Sequence, residues 1–468
     1  MSPKDPIAAY LSRHAEPEAA AADRLEAVSA HAVVVPAYGE GQSLFDTLGS
    51  VPRGAGGETL VVVVLNARAD SPARVHEANR AASARLAEAA RSVRELSADP
   101  PVLALEYPNG TVVVIDRAAP GRFLPEGQGV GLARKIGNDF VLRLQAAGRL
   151  ASGWIHNTDA DTVLANDLFD QTQGLKDERL AAAIYSYEHR LDPDPELALA
   201  ARLYEISLRY YVLGLAWARS PYAYQAMGSC VAVRPWSYAA VRGFPRKNAA
   251  EDFYVLDKLA KAGSIARLAG TPFLLEGRIS DRVPFGTGKA LSELLGKRGA
   301  LAGFRLYHPL TFAHLAAWLR ALGSVARSGG RLEAALEELP PENPFFRAEL
   351  LVSSLEKMGA FAALREAIAK SSDAPRREDA ASRESTMLRH FHTWFDAFRT
   401  LKLIRALQTG GFPALSWREA LAEAPFTGLS ASTQEEPETL RALLAAEERR
   451  LQGDAGVNAI VEAETAGT

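Results

Sequence analysis

Short apolar runs alternate with segments of helical periodicity over roughly the first 300 positions of the chain. HAVVVPA at 31–37, ETLVVVVLNA at 58–67 and TVVVIDRA at 111–118 are apolar enough to predict buried strands. The segments at 43–51 and 71–96 between them have the spacing of helices. Because the valines of the second run are unbroken, we expect both faces of that strand to be covered. The pattern predicts an α/β fold with a mostly parallel sheet flanked by helices.

A glycine-rich stretch at 121–150 begins as a loop and continues as an amphipathic helix. The strand predicted after it, SGWIHNTDAD at 152–161, ends in Asp159 and Asp161. Ligands of such sheets bind beyond the carboxyl ends of the strands, so these aspartates should lie at the ligand-binding edge. Two carboxylates at i and i+2 can face one divalent cation. Aspartates at strand ends also cap turns and helices, and the motif alone leaves both interpretations open.

The pattern changes near residue 300, after which four segments have helical spacing, at 310–330, 331–339, 342–371 and 386–411. We therefore expect four parts in the chain: a helical extension at 1–30, an α/β domain at 31–298, a helical domain at 299–452 and a flexible tail at 453–468.

The overall composition narrows the class of protein. The chain has 468 residues, of which 48% are hydrophobic and 23% charged, which is typical of a globular protein with two or three domains. A net charge of −3 gives no reason to expect nucleic acid as a partner. The single cysteine, Cys230, is typical of a reducing compartment. No transmembrane segment and no signal peptide is predicted, so a cytoplasmic location is expected.

Five motifs follow one another in order: VVVPAYGE at 33–40, GVGLARKIGND at 129–139, Asp-Ala-Asp at 159–161, QAMGSCVAVRPW at 225–236 and NAAEDFYVLDKL at 248–259. This series resembles the GT-A glycosyltransferases, specifically the family 2-like enzymes. The glycine-rich helix start, the Asp-Ala-Asp and EGRISDR are also similar to the mannosylglycerate synthase family. The resemblance covers roughly residues 31 to 290 and lies in the order of the motifs.

The resemblance implies a GT-A-like domain that moves a hexose from a nucleotide diphosphate sugar to a hydroxyl group. The donor would be UDP- or GDP-linked, the acceptor a small molecule or a glycan, and the cofactor Mn²⁺ or Mg²⁺. Neither the sugar, the base nor the acceptor can be derived from the motifs, and a homo-oligomer is left open.

The same resemblance implies roles for individual residues. The donor would be bound by Pro36, Ala37, Tyr38, Glu40, Asn66, Arg134, Lys135, Asp159, Gly228, Ser229 and Arg282. Asp159, Asp161 and Asp281 would hold the metal, and the glycine and serine would line the sugar pocket. Glu251 and Asp252 would lie beside the acceptor. Asp252 would be the general base if the reaction inverts configuration, and would position the acceptor if it retains configuration.

Two positions depart from the family pattern. Asn66 stands where an aspartate that binds the nucleoside is expected, and Asp70 is the nearest acid. The histidine that commonly completes the metal site is absent, and Asp281 is the predicted substitute because a carboxylate is an acceptable ligand for either cation.

Two other functions compete with a glycosyltransferase. Sugar-phosphate nucleotidyltransferases share a related core, but they carry an arginine in the glycine-rich loop after the first strand, and PAYGEGQSL has none. A non-catalytic binding or scaffold protein would explain Asn66 and the missing histidine. The four acids Asp159, Asp161, Glu251 and Asp252 count against it, because such a protein does not need them.

Overall fold

The computed structural model describes residues 5–455 apart from 27, 53–57, 109, 280–285, 297–298, 300, 328–334, 336, 338, 341–344, 373–379, 430–433 and 452. The chain forms two compact units. The first comprises Met1–Asp192, Ala226–Ala262 and Leu268–Ala290, and the second comprises Pro193–Gln225, Gly263–Arg267 and Leu291–Thr468.

The strands, in chain order, are β1 His31–Ala37, β2 Thr59–Asn66, β3 Ser92–Ala98, β4 Pro101–Tyr107, β5 Gly110–Arg117, β6 Ile155–Asn157, β7 Thr162–Val163, β8 Leu180–Ile184, β9 Tyr187–Arg190, β10 Val231–Val233, β11 Ser264–Arg267, β12 Phe273–Glu276, β13 Arg305–Leu306, β14 Leu415–Ser416 and β15 Gly453–Ala455. The α-helices are α1 Pro6–Arg13, α2 Gln42–Ser50, α3 Ala73–Ala89, α4 Val130–Ala146, α5 Asp170–Gln173, α6 Pro195–Trp217, α7 Pro235–Ala240, α8 Glu251–Ala262, α9 Thr287–Leu295, α10 Pro309–Arg327, α11 Ala348–Lys357, α12 Ala360–Ser372, α13 Ala380–Trp394, α14 Ala397–Gly410, α15 Trp417–Glu423 and α16 Pro437–Arg450. Short 3₁₀ turns lie at Pro17–Arg24 and Gly228–Cys230.

The central sheet of the first unit is parallel in the middle and antiparallel on both sides. Its strands lie in the order β8-β10-β6-β1-β2-β5-β4-β3, and β6, β1, β2 and β5 are parallel. Every residue of β1 and β2 is buried, which explains their unbroken apolar sequences. The α/β fold class with a flanked central sheet and a helical C-terminal region is confirmed.

Helix α4 packs directly on β1. A Cβ atom added at Gly137 would lie 2.4 Å from Cγ1 of Val34, so only glycine permits this close approach. The contact fixes α4 beside the carboxyl ends of β1 and β6, where polar side chains collect.

The predicted helix at 71–96 is wrong over its last seven residues, 90–96. Helix α3 ends at Ala89, and β3 and β4 form an antiparallel hairpin at the edge of the sheet. The first four residues of β3 are exposed, so their polar sequence did not differ from that of a surface helix. The predicted strand at 152–161 is also shorter, because β6 has only three residues.

The C-terminal part of the second unit is helical. The predicted helix over 386–411 is divided into α13 and α14, because the Asp396 side chain accepts a hydrogen bond from the Arg399 amide and caps a new helix start. No described helix is both long and apolar enough to cross a membrane.

Candidate active site

The carboxyl ends of β1 and β6, the turn at Gly228 and the start of α8 bring acidic and basic side chains together in the first unit. The acids are Glu40, Asp159, Asp161, Glu251 and Asp252, and the bases are Arg134 and Arg278. The sequence motifs predicted all of these residues except Arg278.

Arg134 connects three segments of this site through its guanidinium group. Its Nη2 lies 2.6 Å from Oδ1 of Asp159, its Nε lies 3.3 Å from Oε1 of Glu251, and its Nη1 donates to the Gly228 carbonyl at 2.9 Å. The side chain is only 1% exposed. Arg134 therefore holds the site together, and its predicted reach toward a donor is not visible in these contacts.

The two aspartates of the Asp-Ala-Asp motif have different arginine partners. Asp161 Oδ2 contacts Nε of Arg278 at 3.0 Å and also Nη2, whereas Asp159 is paired with Arg134. Burial and the neighbouring Asp159 carboxylate raise the pKa of Asp161 to about 6, although Arg278 opposes this shift. The second oxygens, Oδ2 of Asp159 and Oδ1 of Asp161, accept no hydrogen bond from the described residues.

Arg278 also contacts Oε2 of Glu40 through Nη2 at 3.3 Å. Arg278 belongs to the EGRISDR segment, but nothing in that segment indicates that its partner is Asp161, 117 positions away. Glu40, which was predicted to bind the sugar donor, is buried. The Ser43 hydroxyl also donates to Oε2 of Glu40, at 3.4 Å.

Glu251 and Asp252 begin α8 and differ in their surroundings. Glu251 is buried against Arg134, whereas Asp252 is partly exposed. The Asp252 carboxylate accepts hydrogen bonds from the Gly228 amide at 2.9 Å and from its neighbour's amide, Phe253, at 2.7 Å. Burial and the Asp252 charge raise the pKa of Glu251 to about 7. Burial raises the pKa of Asp252 as well.

The Gly228 turn is bound by two side chains: Arg134 donates to its carbonyl, and Asp252 accepts from its amide. A Cβ atom at Gly228 would lie 2.6 Å from Nη2 of Arg134, so the absent side chain makes room for the guanidinium. The room that the sequence interpretation assigned to a hexose is thus taken by Arg134. Ser229 is buried, and among the described residues its hydroxyl has a weak contact with the Cys230 sulfur at 3.7 Å.

The predicted nucleotide-binding residues lie where β1 and β2 end. Pro36 and Ala37 are the last residues of β1, and the Tyr38 hydroxyl donates to Ser71 Oγ at 3.0 Å. Nδ2 of Asn66 donates to the Ala37 carbonyl at 2.8 Å. An aspartate has no donor for this contact, which gives a structural reason for asparagine at a position where the family pattern has an acid.

Lys135 lies away from the site. Its Nζ is 2.6 Å from both Oδ2 of Asp139 and the Tyr10 hydroxyl, and 3.4 Å from Oε1 of Glu16. The structure therefore does not bring Lys135 together with Arg134. The start of α4 also has fewer amides free to bind an anion, because the Gly131 amide donates to the Lys247 carbonyl at 3.0 Å.

Asp281 and Arg282, predicted as a metal ligand and a donor contact, lie outside the described residues. Within the described ranges, no group of three His, Cys, Asp or Glu side chains has the arrangement of a metal site. The carboxylate oxygens at the site are nevertheless the ligands that a hard cation prefers. Four carboxylates contact the two guanidinium groups, and Asp159 and Asp161 each keep one oxygen without a described partner.

Comparisons with known proteins do not assign a family. No family model and no curated protein matches the chain. Among solved structures, it is similar to a mannosyltransferase from Pyrobaculum calidifontis in complex with GDP-Man and Mn²⁺. The identity is 16% over 86% of this chain and 93% of the other, with a TM-score of 0.29. At that TM-score, neither ligand, metal nor activity is carried over to this chain.

Proposed function

We propose that this chain is a glycosyltransferase that moves a hexose from a nucleotide diphosphate sugar to a hydroxyl acceptor. The observation that supports it is the joining of Asp159, Arg134, Glu251 and Asp252 into one connected group at the carboxyl ends of β1 and β6. This is the edge of an open sheet at which ligands bind.

Asp159 and Asp161 would hold the divalent cation. Their carboxylate oxygens are the ligands that Mn²⁺ and Mg²⁺ prefer, and the site has an excess of acids over bases. When bound, the cation would offset the charge that develops on the departing diphosphate.

Asp252 is the proposed general base for an inverting reaction. Its carboxylate would take the proton of the acceptor hydroxyl while that oxygen bonds to C1 of the hexose and the bond from C1 to the diphosphate oxygen breaks. The amides of Gly228 and Phe253 fix its orientation, and its partial burial raises its pKa, which makes it a stronger base than a fully exposed aspartate. In a retaining reaction, the same carboxylate would position the acceptor.

Glu251 and Arg134 act through other residues. Both are buried. Arg134 contacts Asp159, which would meet the cation, and Glu251 contacts Arg134. We assign them the positioning of Asp159 and of the Gly228 turn, which presents an amide to Asp252.

The test is a melting-temperature series with UDP, GDP, ADP and CMP, each with and without Mn²⁺. A specific ligand stabilises the native state by mass action, so one nucleoside diphosphate should raise the melting temperature only when Mn²⁺ is present. Asp161→Asn should abolish that effect. Asp177→Asn is the matched control, because Asp177 forms a more exposed ion pair with Arg179 in the same unit.

Each alternative function has its own outcome when nucleoside triphosphates and sugar phosphates are added to this series. If no nucleotide stabilises the chain with or without Mn²⁺, a non-catalytic protein is favoured and the proposal fails. Stabilisation by nucleoside triphosphates and sugar phosphates, with release of pyrophosphate, would instead indicate a nucleotidyltransferase.

A further inference from the structure

Arg278 bridges two carboxylates of the candidate active site. Its Nε lies 3.0 Å from Oδ2 of Asp161, and its Nη2 contacts the same oxygen and lies 3.3 Å from Oε2 of Glu40. The Arg278 side chain is 38% exposed, compared with 24% for Asp161 and 7% for Glu40. One guanidinium is therefore shared between both acids and offsets only part of their charge.

The two arginines of the site are held very differently. Arg134 is 1% exposed and bound to two carboxylates and to backbone carbonyls, so its release would leave Asp159 and Glu251 uncompensated. Arg278 is partly exposed, and its hydrogen-bond partners within the described ranges are Asp161 and Glu40. Glu276 adds a longer-range attraction. Arg278 can therefore exchange its partners at a lower cost than Arg134 can.

A divalent cation at Asp161 would compete with Arg278. Both would require the same carboxylate, and two cations so close together repel each other. The diphosphate of a donor would relieve that repulsion, because it adds negative charge beside both. A guanidinium also fits phosphate oxygens as well as it fits a carboxylate.

We propose that Arg278 is the resident counter-ion of Asp161 and Glu40 and transfers to the diphosphate when donor and cation bind together. The inference rests on the function proposed above and adds a positioning residue to it. Cation and donor would then each strengthen the binding of the other, and this coupling is reciprocal. The cation alone would bind weakly, so the chain would take up metal mainly with its nucleotide.

The experiment is a titration of the full chain with Mn²⁺, followed by electron paramagnetic resonance, alone and then with saturating UDP or GDP. In the wild-type chain, nucleotide should tighten Mn²⁺ binding roughly tenfold or more. In Arg278→Gln, Mn²⁺ alone should bind roughly tenfold more tightly than in the wild type, and nucleotide should add little. Arg278→Lys should lie between them, because the charge is kept but the planar fork is lost.

Arg143→Gln is the matched control, because Arg143 is 38% exposed, as Arg278 is, and is paired with Asp23 in the same unit. It should behave as the wild type. A melting curve of each variant shows whether it is folded.

The inference is overturned if Arg278→Gln binds Mn²⁺ with the affinity of the wild type or more weakly. The proposed function still stands in that case, provided that a nucleotide raises the melting temperature with Mn²⁺. If neither chain binds Mn²⁺ with or without nucleotide, the metal-dependent function fails and this inference fails with it.

Discussion

Arg134 and Lys135 are consecutive residues of α4, but their buried side chains belong to two separate polar networks. Arg134 contacts Asp159 and Glu251, whereas Lys135 contacts Asp139 and Tyr10. Successive residues on a helix point about 100° apart, so one helix can serve two regions of the first unit. The geometry of the candidate active site and the attachment of the N-terminal segment therefore both depend on α4.

Replacing Arg134 with methionine should destabilise the protein by about 3 to 5 kcal/mol, because two buried or partly buried carboxylates lose their counter-ion. Urea denaturation at pH 7 measures the change in the free energy of unfolding. Arg143→Met is the matched control on the same helix, since the Arg143 pair with Asp23 is largely exposed. Its loss should cost less than about 1 kcal/mol. Equal losses in the two variants would contradict the central role of Arg134.

Lys135→Met should also destabilise the protein by a few kcal/mol, on the order of 3, because Asp139 is left buried without its cation. Its effect on nucleotide affinity should be small, since the contacts of Lys135 run to the N-terminal segment. The measurement is the nucleotide Kd from calorimetry, with Mn²⁺ present and at a temperature where the variant is folded. A Kd that weakens tenfold or more would restore the donor-binding role that the motif implied for Lys135.

Local sequence predicted the buried centre of the sheet better than its edge. The predicted run at 31–37 is β1, because seven consecutive buried residues produce a clear apolar signal. The strand β3 was missed because most of its side chains face solvent, where strand and helix have similar polar compositions. The break before α14 depends on one capping contact of Asp396, which helical periodicity does not reveal.

The candidate site shows the same division between local and long-range information. Motif order brought Asp159 and Glu251 to attention, and the structure connects them through Arg134. The partner of Asp161 was not predictable, because Arg278 is distant in the chain and its contact depends on the tertiary fold. Sequence spacing also could not separate the roles of Arg134 and Lys135, since their orientation depends on how α4 is rotated against the sheet.

Gly228→Ala should displace the Arg134 guanidinium, because the added methyl group would lie 2.6 Å from its Nη2. We expect a destabilisation of about 1 to 3 kcal/mol and a weaker nucleotide-dependent rise in melting temperature. Gly49→Ala is the control, since a Cβ atom there meets nothing within 4 Å. In helix α2, that change should be neutral or slightly stabilising. A Gly228→Ala chain as stable as the wild type would show that the guanidinium moves aside easily.

Glu251 should make the protein less stable as the pH rises. Its carboxyl group has a pKa of about 7 in the native state compared with 4.5 in a model compound, so the native state binds more protons between these values. The free energy of unfolding therefore falls as the pH rises through this window. Glu251→Gln does not titrate and should have a flatter profile, although Asp161 contributes a slope of the same sign. Urea denaturation between pH 5 and 8 in EDTA should show the wild type losing about 1 to 3 kcal/mol more than the variant.

The control for this profile is Glu77→Gln, because Glu77 is exposed on α3. It should reproduce the slope of the wild type. A Glu251→Gln profile parallel to that of the wild type would mean that Glu251 is ionised throughout this range.

Asp252→Asn should remove the proposed base while keeping much of the local geometry, since asparagine is isosteric with aspartate and its Oδ1 can still accept one backbone amide. If the reaction inverts configuration, kcat should fall by about 10² to 10⁴, because the acceptor proton has no positioned carboxylate to receive it. The Kd of the nucleotide should change little. Glu251→Gln is the comparison, because this buried neighbour acts through Arg134 and should lower kcat much less. The rate of transfer to an acceptor identified by screening would be measured from pH 5 to 9. The fall in this rate toward low pH, the acidic limb of the profile, should disappear only in Asp252→Asn. If that limb persists, or if Glu251→Gln has the larger effect on kcat, the general base is not Asp252.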